Sequence, residues 1–223
     1  MRLLLVLALA LVGCPKTSAT TASSAPAAMP ALTDPTAPDP RAPDQFIVRF
    51  VTTQGDIVVD VYREWAPRGV DRLHRLVASG YYTDAAMYRV IDGFAAQFGI
   101  HPDPAVHALW ENASIPDDPV VGSNVRGTLT FANAGPGTRS TQLFFNLGDN
   151  VYLDESGFAP LGRVRELDAA YAAYSGYGEG APMGGGPDQR RAATEGAEYF
   201  RSEFPKLDWI LKATIEPLEA EKR

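Results

Sequence analysis

Few side chains in this sequence have a type and spacing that could do chemistry. The single cysteine, Cys14, can form no intramolecular disulfide and lies directly behind an unbroken apolar run, Leu3 to Val12. His74, His101 and His107 read as one helical position and two in an irregular loop. With no supporting cysteine and no helical i, i+4 pair they lack the spacing of a metal site, and no metal is expected. The glycines between 176 and 186 follow no strand and precede no Lys-Ser/Thr pair, so they read as a flexible surface loop rather than a phosphate cradle. Asp117 and Asp118 read as acidic loop surface. The remaining candidates are polar and aromatic residues gathered in four strings. These are Thr53 to Ile57 with Ala66-Pro67, Tyr88 to Gly99, Gly127 to Gly135 running on through Thr138 to Thr141–Asn146, and Leu153-Asp154 followed by Gly157 to Gly162.

In this order and at these spacings, the four strings resemble the cyclophilin family of peptidyl-prolyl cis/trans isomerases, over roughly residues 46 to 165. The reaction that the resemblance implies is rotation about an X–Pro bond. A peptide bond resists rotation by roughly 18–20 kcal/mol because nitrogen shares its lone pair with the carbonyl. Unaided X–Pro bonds interconvert in tens to hundreds of seconds. Catalysis needs neither nucleophile nor cofactor. It needs a donor to the prolyl nitrogen as that atom becomes pyramidal, a grip on the carbonyl side, and an apolar slot for the ring. Only contacts that strengthen in the twisted state accelerate the reaction.

By resemblance Arg89 is the donor, its guanidinium a permanently charged fork of N–H groups. Gln97 and Gln142 orient arginine and substrate, Asn133 holds the substrate backbone through its main chain, and Phe94, Phe144 and Leu153 form the slot. Three positions depart from the family's frequent pattern. Ala95 follows Phe94 where many members have Met, so a wider slot is expected on that wall. Tyr152 stands for Trp before Leu153-Asp154, and Phe158 for His. These changes bear on substrate preference and cyclosporin affinity. The rival reading is a proline-segment binding or chaperone module with incidental turnover, but a pure binder need not keep Arg89.

Residues 1–13 have the positive start and apolar run of a signal peptide, too short to span a bilayer. Leu11-Val12-Gly13-Cys14 resembles the lipobox of bacterial lipoproteins, in which the cysteine accepts a diacylglycerol and becomes the acylated amino end. Pro15, in place of Asp, points to the outer membrane, with the protein facing the periplasm. Cleavage after Thr17-Ser18-Ala19, giving a soluble secreted protein, is the alternative. Residues 14–44 read as a lipidated cysteine and a solvated Ala/Pro/Ser/Thr spacer too poor in large apolar side chains to order itself. With 20 Lys and Arg against 27 Asp and Glu, the net charge of −7 gives no electrostatic reason to bind nucleic acid. The expected partners are proline-containing exported polypeptides and, through the lipid, a membrane; the expected state is a monomer.

The elements that must position these residues follow from periodicity within a domain at 45–220. Phe46–Val51 and Ile57–Tyr62 form a hairpin. Pro67 opens a helix that Gly80 ends. Strands are expected at Met87–Gly93, Ala95–Ile100, Thr128–Ala132, Gln142–Asn146, Leu161–Val164 and Trp209–Glu216. Short helices are expected at Leu167–Tyr174 and Ala192–Glu203. The class is therefore mainly β, a closed eight-stranded antiparallel barrel with two or three peripheral helices, plus an extra loop-helix segment at 175–204.

Overall fold

The chain enters its sheet through a hairpin of β1 (Gln45–Thr52) and β2 (Gly55–Tyr62). Phe46 stands opposite Val61, Val48 opposite Val59, and Phe50 opposite Ile57. Because strand side chains alternate with a period of two, this register puts all six on one buried face. The computed structural model describes residues 32–218. Residues 1–31, with the apolar leader and Cys14, lie outside the described residues.

Helix α1 (Pro67–Ala78) follows, with proline at its first turn and Val70, Leu73, Leu76 and Val77 buried against the sheet. Its N-cap position is Ala66, which offers no side-chain acceptor. Asp118 supplies one from elsewhere: its carboxylate accepts from the main-chain N–H of Gly69 at 2.8 Å and of Arg68 at 3.0 Å. It also pairs with Arg139 at 3.1 Å, each side chain 1% exposed. The expectation of Asp118 as loop surface is thus corrected. The orphan donors of a helix start and a buried guanidinium need a carboxylate.

The remaining elements are β3 (Ala85–Ala86), β4 (Arg89–Ile91), β5 (Ala95–Phe98), α2 (Pro104–Trp110), β6 (Thr128–Phe131), β7 (Leu143–Asn146), a 3-10 turn at Val151–Leu153, β8 (Pro160–Val164), α3 (Asp168–Tyr171), α4 (Gln189–Glu195), α5 (Ala197–Glu203) and β9 (Trp209–Glu216). Among the described residues the sheet has nine strands, in the order β3-β9-β1-β2-β8-β6-β7-β5-β4. Every pairing is antiparallel. This corrects the closed eight-stranded barrel. The sheet curls until its two end strands, β3 and β4, are consecutive in the chain, but no ladder joins them. Inside the curl, Phe50 meets Tyr82, Phe98 and Phe145 edge-on at centroid distances of 6.2, 5.5 and 5.6 Å.

Two further expectations change. The single helix at Ala192–Glu203 is two, broken at Gly196, whose φ of 65° suits glycine and where a Cβ would lie 2.2 Å from the Pro102 carbonyl oxygen. Tyr199 and Phe200 of α5 pack with Tyr88 and Trp209 in a second apolar cluster outside the curl. The described part of the 14–44 spacer is largely exposed, as expected of a spacer, but it is ordered by contacts with the domain. Asp39 pairs with Arg72 at 2.8 Å and Arg75 at 3.2 Å, the Asp34 and Ala37 carbonyls accept from Arg75, and the Leu32 carbonyl accepts from Trp110 Nε1 at 2.7 Å. Arg72 and Arg75 are buried in α1, and this strap supplies the carboxylate that pairs with both.

Candidate active site

The ladders build the site. Arg89 on β4 stands opposite Gln97 on β5, Gln97 opposite Phe144 on β7, and Phe144 opposite Thr130 on β6. The neighbouring row, Val90, Ala96, Phe145 and Leu129, belongs to the core. Alternation therefore turns Arg89, Gln97 and Phe144 to the other face, where a groove of about 730 Å³ opens.

Hydrogen bonds fix the orientation of each polar group. Arg89 Nη1 donates to Gln97 Oε1 at 3.1 Å, and Gln97 Nε2 donates to Gln142 Oε1 at 2.9 Å. The Tyr88 hydroxyl donates to the same Gln142 oxygen. Burial pushes the Tyr88 phenol far above its ordinary pKa, so it remains a donor. The Arg89 guanidinium lies 5.3 Å from the centre of the Phe94 ring.

The apolar slot comes from connections rather than strands. Phe94 sits in the turn between β4 and β5, held where Leu147 N–H and Asn150 Nδ2 donate to its carbonyl at 2.9 and 2.8 Å. Leu153 ends the 3-10 turn, and Phe158 meets Phe144 edge-on at 6.0 Å. Asn124 ties this region together, its Nδ2 donating to Asp154 Oδ1 and to the Phe158 carbonyl, both at 2.7 Å.

Of the residues singled out from sequence, Arg89, Phe94, Gln97, Asn133, Gln142, Phe144, Leu153 and Phe158 line the groove. Ala95 and Tyr152 do not. Ala95 is 1% exposed on β5, whereas Tyr152 is 59% exposed on the outer side of the 3-10 turn. His107, expected in an irregular loop, lies in α2 and borders the groove, its Nε2 3.7 Å from Glu111 Oε2.

Sequence reasoning missed Glu179. It comes from the glycine-rich part of the 175–204 segment and grips Arg89 with both oxygens, Oε1 to Nε at 2.6 Å and Oε2 to Nη2 at 2.7 Å. The Arg89 guanidinium holds the Glu179 carboxyl below its ordinary pKa. A lone carboxylate among glycines was the only available signal. Gln189, Arg190 and Ala193 from the same segment also line the groove, widening it beyond the slot.

Comparison with known proteins agrees with this architecture. The family model for "Cyclophilin type peptidyl-prolyl cis-trans isomerase/CLD" matches residues 47–171. Peptidyl-prolyl cis-trans isomerase-like 3 of Gibberella zeae is 35% identical over 112 residues, 46% of this chain and 66% of that protein. Peptidyl-prolyl cis-trans isomerase B of Escherichia coli is 27% identical over 169 residues, 75% of this chain and 97% of that one. A cyclophilin type isomerase of Cryptosporidium parvum superposes with a TM-score of 0.56 at 19% identity, covering 77% of this chain and 98% of that chain, which shows the shared fold. With its curled antiparallel sheet and the matched strings, the chain belongs to the cyclophilin-type peptidyl-prolyl cis-trans isomerases.

Proposed function

We propose that this chain accelerates rotation about X–Pro bonds by a non-covalent route in which Arg89 donates to the prolyl nitrogen as it becomes pyramidal. The proline ring enters the slot of Phe94, Phe144, Leu153 and Phe158. Gln97 and Gln142 hold the arginine and the carbonyl side, and Asn133 takes the substrate main chain. No bond is made or broken, so no cofactor is called for. One observation carries the reading: a guanidinium oriented by Gln97 stands at the edge of an apolar slot, with N–H groups left over for a ligand. A donor aimed at the twisted state and already ordered needs no reorganisation when the bond turns.

The substrates we propose are proline-containing exported polypeptides, met by a monomer tethered through a lipid on Cys14 to the outer membrane and facing the periplasm. Support comes from the leader and the Leu11-Val12-Gly13-Cys14 string. Fractionation of cells expressing the native gene tests this. Recovery in a salt-resistant membrane pellet is expected, and release with the soluble periplasm, with a mature amino end near Thr20, contradicts the tether.

For the mechanism, the test is Arg89→Ala in a protease-coupled proline-peptide assay. Loss on the order of 10²-fold or more in kcat/KM is expected, with the circular dichroism spectrum unchanged. Near-wild-type turnover from the folded variant would sink the assignment.

A further inference from the structure

Glu179 does more than touch the catalytic arginine. Its carboxylate takes one N–H from Nε and one from Nη2, while Gln97 takes one from Nη1. Of the five guanidinium N–H groups, one on Nη1 and one on Nη2 are left for substrate. A bidentate carboxylate fixes the plane of the fork as well as its position, which the single bond to Gln97 does not.

The carboxylate is itself held. Gly180 N–H donates to Glu179 Oε1 at 2.9 Å, and Gly186 N–H donates to the Glu179 carbonyl at 2.8 Å. Ala181 N–H bonds the Gly186 carbonyl at 3.1 Å, and Gly184 N–H bonds the Gly180 carbonyl at 3.0 Å. A Cβ at Gly184 would lie 2.3 Å from the Glu179 carbonyl oxygen, and one at Gly186 would lie 2.8 Å from it. The glycines therefore form an internally bonded loop wrapped around the backbone of Glu179; it lies at the surface as expected, with residues 182–185 exposed, but its main chain is held by its own hydrogen bonds.

We propose that Glu179 is a positioning residue for the isomerase reaction: the glycine loop presents its carboxylate to lock the Arg89 fork, leaving the remaining Nη donors for the prolyl nitrogen. This rests on the reading of Arg89 as that donor. The hydrogen bond to the same guanidinium lowers the Glu179 pKa below its ordinary value, which is consistent with the role.

The test uses the folded chain with Glu179→Ala and the near-isosteric Glu179→Gln, which keeps one acceptor oxygen and guards against a folding defect. The readouts are kcat and KM on a proline peptide and the ¹⁵N resonance of Arg89 Nε–H. Glu179→Ala is expected to lower kcat roughly 10-fold with little change in KM, as a misplaced catalytic group does. Glu179→Gln should lose less. In both, the Arg89 Nε–H signal should move toward that of a free arginine and exchange faster with water. Unchanged or raised kcat in both variants overturns the proposal, as does a loss of kcat with the Arg89 signal unmoved. Full turnover from Arg89→Ala would overturn this role together with the mechanism. An inactive Arg89→Ala beside fully active Glu179 variants would overturn the positioning role alone.

Discussion

Arg89 and Gln97 are direct cross-strand partners in the β4–β5 ladder, and the Nη1 donor of one meets the Oε1 acceptor of the other at 3.1 Å. The backbone register thus brings the side chains within reach, and the Gln97 amide relays that order to Gln142 at 2.9 Å.

Gln97→Leu keeps the size of the side chain but removes both of these bonds. It strands the partners of a buried amide, which is 8% exposed in the native protein. A fall in kcat/KM of about 10-fold is expected, because the arginine loses one of its two anchors. Steady-state kinetics beside a thermal melt checks it. Wild-type kcat/KM from a folded variant would show that Glu179 holds Arg89 without help.

Asp118 contributes to stability out of proportion to its place in a loop. Asp118→Ala leaves the Arg139 guanidinium buried without that partner and removes the acceptor for the first N–H groups of α1. Breaking a buried pair by deleting one partner costs about 3–5 kcal/mol. Urea unfolding should show a loss of that size. A change within error of zero would mean that water or Asp117, 3.3 Å from Arg139, takes over.

The three histidines give the protein an acid-sensitive fold. Burial lowers the pKa of His74, His101 and His107 below the ordinary histidine value. In the unfolded chain each titrates near about 6.5, so between the native and unfolded values the unfolded state binds more protons. Stability is therefore present above roughly pH 6.5 and is lost as pH falls through that value toward the depressed native ones. The urea midpoint at about pH 5.5 should lie below that at about pH 7.5, and the triple variant with His74, His101 and His107 changed to Gln should flatten the difference. A midpoint independent of pH over this range contradicts the burial argument.

The residues of the site were legible in the sequence through the resemblance of the four strings to the family, not through periodicity. Why Arg89, Gln97 and Phe144 face one way became clear only from the register of their strands, in which a period of two turns all three to the groove. Contacts that no local pattern encodes were not legible. Ala85–Ala86 is too short for periodicity to mark as a strand. Helix α2 has only seven residues, and its local signs are Asp103, whose side chain accepts from Ala105 N–H, and Pro104 at its first turn. Glu179 reaches Arg89 across 90 positions, and Asp39 reaches Arg72 across 33. Such pairs depend on the finished fold, as does the outward turn of Tyr152, which removes it from the groove although its neighbour Leu153 lines it.

The pairing of β1 with β9 also governs when the protein can finish folding. Ile47 meets Glu216 and Thr52 meets Ile210, so the first strand of the sheet waits for the last. Contacts this distant in sequence are closed late, because loop-closure entropy is lost before they return any stabilisation. The β4, β5, β6 and β7 ladders, confined to residues 89–146, demand far shorter closures. An emerging chain can therefore pair the strands that carry Arg89, Gln97 and Phe144 while β1 still exposes an unpaired edge. Until Trp209–Glu216 arrives, that edge is open to the strands of other chains.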